Sequence, residues 1–171
     1  MKSKEDFEAF VREHQDMVYT TALRLLGRED EAEDAAQEAF LKAFERREEL
    51  EALANPGGWL RVVARNLCLN HLGRYRRRFR LFSEMEDTGG LPFEETLAAE
   101  DAGASTRSSE LEAALLRLPD SQRVPLVLFH FEDMSYEDIA GRLGVSLGKV
   151  KTDIFRGRAA LRRILGEDSD E

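Results

Sequence analysis

The side chains best equipped to act on another molecule are cations and carboxylates, and they come in blocks. From Trp59 to Arg80 there are seven arginines, at 61, 65, 74, 76, 77, 78 and 80, and no acid. From Ser146 to Gly166, Lys149, Lys151, Arg156, Arg158, Arg162 and Arg163 stand against Asp153 alone. Between these blocks, Glu84 to Glu112 holds nine acids and one arginine, and Glu29 to Glu51 holds ten acids and three bases. The net charge of −9 over 171 residues argues, taken alone, against a nucleic-acid partner. Segregation this sharp points the other way, because the chain builds separate basic and acidic surfaces that the bulk charge hides. Bond-making chemistry finds no support. His14, His71 and His130 lie far apart with no metal-ligand spacing to Cys68, so no metal site is expected. No nucleophile–base constellation or phosphate-cradling glycine loop is present, so the chain reads as a binding protein without a cofactor rather than an enzyme.

The elements that must position these groups are helices. Apolar residues recur at helical spacing, and no stretch sustains the alternation of a strand. A first helix is expected from about Lys4 to Leu26 with Gly27 as its stop, and a second from about Asp30 to Arg47 with acids in its first turn. Asn55-Pro56 reads as N-cap and first residue of a third helix running to roughly Arg77. Its stripe Leu60, Val63, Ala64, Leu67 and His71 packs inward, while Asn66, Asn70, Arg74 and Arg77 define a polar face with Arg61 and Arg65 off the stripe. Trp59 is either core or a platform for stacking a base. After Leu81 the composition turns to Gly, acid and small residues, with a short helical stretch near Glu94 to Ala99, which reads as a flexible linker. A further helix begins near Ser109 and ends at Pro119, and Asp120 then caps one through about Phe131. The fold expected is all-α: small helical domains over 1–82 and 109–171, joined by a flexible acidic linker over 83–108.

The most specific pattern lies in residues 135–164. Ser135 opens a short helix carrying Ile139, Ala140 and Leu143, Gly144 ends it, and Ser146 can cap the next. In that next helix Val150, Ile154, Gly157 and Leu161 form one inward face. Lys149, Thr152, Asp153 and Arg156 are expected on the outward face, flanked by Lys151, Arg158 and Arg162. This is a helix-turn-helix whose second helix suits a DNA major groove. The carboxylate of Asp153 either accepts from a cytosine amino group or pairs with Lys149 or Arg156.

The segment LPDSQRVPLVLFHFEDMSYEDIAGRLGVSLGKVKTDIFRGRAALRRIL resembles the C-terminal domain of bacterial sigma factors. EAEDAAQEAFLKAFER followed by NPGGWLRVVARNLCLNHLGRYRRR resembles their N-terminal promoter-melting domain. Two such domains with a short linker are similar to the extracytoplasmic-function (ECF) subfamily. The resemblance implies a non-catalytic subunit that binds core RNA polymerase and gives it promoter specificity. By the same resemblance, Asp34, Gln37, Glu38 and Phe40 match a DLxQExF-type element that docks on the polymerase. An acidic helix face suits a basic protein and repels DNA, in agreement. Arg61, Arg65, Asn66, Asn70, Arg74 and Arg77 are the candidates for the minus-10 element as single-stranded DNA. Arginines neutralise phosphates and amides read exposed base edges. Ser146, Lys149, Lys151, Thr152, Asp153, Arg156 and Arg158 are the candidates for the minus-35 element. The resemblance also implies a cognate anti-sigma factor as a partner. Asn70 and Gly73 stand where the family often has Asp and Arg, Lys149 replaces a common threonine, and Asp153 a common arginine.

No apolar run approaches the roughly 18 residues that cross a bilayer, so membrane insertion is not expected. One cysteine leaves a reducing cytoplasm as the simplest compartment. The rival reading is a helix-turn-helix regulator acting on DNA without core polymerase.

Overall fold

Ser3 begins the chain's first ordered element. Its hydroxyl accepts from the Asp6 amide at 3.1 Å while the Asp6 carboxylate accepts from the Ser3 amide at 3.4 Å. Two amides of an uncapped first turn are thereby satisfied. The computed structural model describes residues 3–73 and 105–169, which fall into two compact units divided between Gly73 and Arg74. The expected boundary at 82–83, the short helix near Glu94 to Ala99, and Arg74 and Arg77 lie outside the described residues.

In the first unit, α1 runs Lys4–Leu26 and stops at Gly27, whose φ of 75° lets its amide reach the Leu23 carbonyl. Helix α2 runs Glu29–Glu45 with Glu29, Asp30 and Glu31 at its positive end. The single helix expected to Arg47 breaks at Arg46, and α3 covers Arg47–Glu51. The break turns Leu50 into the core beside Val18, Leu60 and Ala64, where it is 1% exposed. Burying such a side chain contributes roughly 1.5–3 kcal/mol, more than one frayed helical hydrogen bond costs. Helix α4, Pro56–Leu72, is capped by Asn55, whose Oδ1 accepts from the Gly58 amide at 2.9 Å. Helices α1, α2 and α4 pack against one another. Ala32, Ala39 and Ala43 are fully buried on α2, so its backbone comes close to its neighbours. The α4 entry is tighter still. A Cβ on Gly57 would stand 2.7 Å from His14 Cε1 of α1.

In the second unit, α5 covers Ser105–Leu116, beginning earlier than the helix expected from Ser109. Helix α6 is Asp120–His130, α7 is Tyr136–Leu143 and α8 is Leu147–Ser169. Asp120 does not cap α6 as expected; Pro119 holds that position. The Asp120 carboxylate instead accepts from Arg123 Nη2 at 2.6 Å, while Nη1 donates to the Leu118 carbonyl at 3.1 Å. Arg123, 2% exposed, thereby ties the α5–α6 turn together with a charge-assisted bond. The Ser135 hydroxyl accepts from the Asp138 amide and the Ser146 hydroxyl from the Lys149 amide, both at 3.1 Å. Gly144 sits between these helices at φ 70°.

Helix α8 packs on α5, α6 and α7 through Val150 and Ile154, both fully buried. At Gly157 it meets α6 so closely that a Cβ would lie 3.0 Å from Leu126 Cδ1 and 3.3 Å from the Gln122 carbonyl oxygen. Gly157→Ala gains about 1 kcal/mol of helix propensity but overpacks the contact, which costs roughly 1–3 kcal/mol. The backbone oxygen cannot swing aside, so we expect a net loss of about 1 kcal/mol. Gly141→Ala on α7, whose Cβ would meet nothing within 4 Å, should gain up to about 1 kcal/mol. Guanidinium unfolding of the full-length variants checks both signs.

Candidate nucleic-acid interface

Each residue of a helix advances about 100° around its axis, so the buried residues of α8 locate the opposite face. Across from Val150, Ile154, Gly157 and Leu161 lie Thr152, Phe155 and Ala159, with Arg156 and Arg163 to one side and Arg162 to the other. Ser146, Ala159, Arg162 and Arg163 are exposed, and Lys151, Thr152, Phe155 and Arg156 are half-buried.

Two residues expected on that outward face are not there. Lys149 Nζ lies 3.0 Å from Asp153 Oδ1, and their side chains are 8% and 5% exposed. They stand about a quarter turn from the Val150–Ile154 stripe, on the flank of α8, so the buried interface reaches them. Of the alternatives for Asp153, the structure has the pair with Lys149. Arg158 is also buried. Its Nε and Nη2 lie 3.1 and 3.0 Å from Nε2 of His130 on α6. With Nε donating, the ring nitrogen must accept, which places the imidazole proton on Nδ1. The Arg158 guanidinium also lies 5.8 Å from the Phe129 ring centroid, and Phe129 stacks on Tyr136 at 4.5 Å.

Sequence reasoning assigns Phe155 nothing. Its signal is an aromatic three residues after Thr152 that falls outside the i, i+4, i+7 stripe.

On α4 the polar groups divide between two flanks. Arg61 and Arg65 stand on one side and Asn66 and Asn70 on the other, with Val62, 43% exposed, on the ridge between them. Asn70 is exposed, while Arg61, Arg65 and Asn66 are half-buried. Arg65 Nε is buried without a hydrogen-bond partner among the described residues. Trp59 is half-buried and packs on the hydrophobic core. His71 Nε2 lies 3.7 Å from Glu31 Oε1, linking the last turn of α4 to the first turn of α2.

On α2, Asp34, Gln37 and Glu38 are exposed, and Phe40 packs partly against the core. Between α1 and α2 runs an open groove of about 900 Å³. Phe7, Val11, Phe40, Leu41 and Phe44 give it apolar walls, and Glu8, Asp16 and Glu33 contribute acids. Leu41 is 63% and Phe44 46% exposed. Lost hydration, together with the negative charge of Glu29 and Glu33, raises the Tyr19 phenol above its ordinary range. The groove thus offers apolar contact in a negative field. No helix among the described residues is long and apolar enough to cross a membrane.

Comparison with known proteins follows the same division. Residues 10–78 match the family model for Sigma-70 region 2, and residues 108–161 match that for Sigma-70, region 4. The chain is 38% identical to the ECF RNA polymerase sigma factor SigE of Mycolicibacterium smegmatis over 96% of its own length, and spans 63% of that relative. It is 34% identical to the ECF RNA polymerase sigma factor SigW of Bacillus subtilis, covering 95% of this chain and 91% of the relative. Among solved structures it is similar to the sigma factor RpoE of Bartonella quintana, determined in complex with the anti-sigma factor NepR. That match has 26% identity and a TM-score of 0.51, and covers 95% of this chain and 98% of the other.

The partial burial of His130, with Arg158 beside it, should make the second unit sensitive to acid. Partial burial, then the Arg158 charge, push the His130 pKa below its ordinary value. Unfolded chain therefore takes up the proton first, so stability present above about pH 6.5 is lost as pH falls through the depressed native value. His130→Gln keeps an acceptor without a titrating ring and should flatten this dependence. Thermal midpoints of both proteins between pH 7.5 and 5 check it.

Proposed function

The chain belongs to the ECF group of the sigma-70 family, and from that premise we propose that it directs core RNA polymerase to a defined set of promoters. The observation that carries this reading is the ordered presence of both family regions, joined to faces of the charge their partners require. Proteins of this kind are in general non-enzymatic regulators of initiation, and the chain is read as acting so, in the cytoplasm where core polymerase works.

The exposed Asp34, Gln37 and Glu38 of α2, with Phe40 and Leu41 at the adjoining groove, form the polymerase-docking surface. Acids repel the phosphate backbone and attract a basic protein face, which sets both the partner and the rate of encounter. On α4, Arg61 and Arg65 neutralise phosphates of the opened minus-10 strand, and Asn66 and Asn70 present amides to its bases. Arg74 and Arg77, candidates for the same strand by sequence, lie outside the described residues. On α8, Ser146, Lys151, Thr152, Phe155 and Arg156 face the minus-35 element. Phe155 suits a thymine methyl group and Arg156 a guanine edge. An anti-sigma factor is proposed as the partner that restrains the protein, since the structurally similar sigma factor is seen bound to one.

Run-off transcription with purified core polymerase tests the reading directly. Added chain should produce promoter-dependent transcripts, whereas tight sequence-specific DNA binding by the chain without any gain from core would favour the regulator reading. Reversing Asp34 and Glu38 to Lys should weaken core binding at least tenfold, about 1.4 kcal/mol, and leave helix content unchanged. Fluorescence titration against core polymerase, beside circular dichroism, measures both.

A further inference from the structure

Lys149 and Asp153 form a buried ion pair on α8 to which the promoter-reading assignment gives no task. Nζ and Oδ1 stand 3.0 Å apart across one helical turn, and both side chains are nearly inaccessible. Burying a carboxylate and an ammonium is costly, and the attraction between them roughly offsets the cost, so two apolar residues of similar size would hold the flank as well. Stability therefore gives no reason for the pair. Its place gives one. Lys149 sits in the first turn of the helix read as entering the major groove, on an element that also carries Lys151, Arg156, Arg162 and Arg163. A lysine there, on a flexible four-carbon stem, is within swing of the DNA backbone and prefers phosphate whatever the base sequence. Asp153 draws it to the protein side instead.

We propose that Asp153 is a positioning residue for promoter selectivity: by holding Lys149 in a buried ion pair, it withholds one cation from the DNA. Affinity for arbitrary sequence falls by one phosphate contact, and Thr152, Phe155 and Arg156 carry a larger share of the discrimination. The inference rests on the reading of α8 as the minus-35 element's partner.

The test uses the full chain bound to core polymerase, with duplex libraries randomised across the upstream element and titrations from 50 to 200 mM salt. In Asp153→Asn the charge that draws Lys149 inward is gone, and its ammonium should reach a phosphate. The plot of log affinity against log salt should steepen by about 0.9, and preference for the best sequence over its single-base variants should narrow about threefold. The double variant Lys149→Met, Asp153→Leu fills the same flank without charge. It should keep the wild-type slope and the wild-type preference, and it stands as the decisive protein if Asp153→Asn does not fold. An unchanged slope and preference in folded Asp153→Asn would overturn the inference. So would loss of preference at one base pair in the double variant, since the pair would then be touching DNA. Failure of the wild-type complex to enrich any upstream sequence would instead overturn the assignment of α8, and this inference with it.

Discussion

Helices can present their outer faces in a fixed direction only where their inner faces are locked in register, and in both units that lock includes a glycine. Gly57 lets the first turn of α4 settle against the His14 imidazole, and Gly157 lets α8 lie against the α6 backbone at Gln122. A methyl group on residue 157 would meet the α6 backbone, and one on residue 57 would force the His14 ring aside. The first contact aims the arginine and asparagine flanks of α4, and the second aims Thr152, Phe155 and Arg156. Dense packing transmits such shifts rather than absorbing them. The geometry of the surfaces proposed to face DNA is thus decided on the opposite side of each helix.

Charge follows a similar rule. The acids of α2 serve its dipole at one end and its exposed face along the middle, while α4 and α8 carry arginines on flanks that the core leaves open. Three buried cations take a bonding partner inside with them. Arg123 is held by Asp120 and a carbonyl, Lys149 by Asp153, and Arg158 by an imidazole lone pair. Buried cations without such partners would cost several kcal/mol each.

Local chemistry makes much of this legible. The ends of α1, the Asn55 cap, and the two serines and the glycine of the helix-turn-helix all act within a few residues, and the structure has them where the sequence places them. The family motifs, in their order, indicate the class. What escapes is decided at longer range. Nothing in Arg46 announces a break, because the break exists to bring Leu50 inward. Asp120 looks like a cap until Arg123, three residues on, takes its carboxylate. The outward face of α8 differs from expectation by about a quarter turn at Lys149 and Asp153, since a helical wheel gives the centre of the buried stripe but not its width. Arg158 and His130 are 28 residues apart, and no periodicity links them. Phe155 escapes because an aromatic on a helix is assumed to belong inside.

The helices of the first unit also follow one another closely, α1 joining α2 through Gly27 and Arg28 alone. Contacts between sequence neighbours close short loops, and helical domains built this way fold in microseconds to milliseconds. Translation at about 5–20 residues per second needs several seconds to add what lies beyond Gly73. The acidic face of α2 is therefore complete on the ribosome long before α8 has been synthesised. On the proposed reading, each nascent chain offers its polymerase-docking surface first and acquires its means of reading duplex DNA afterwards.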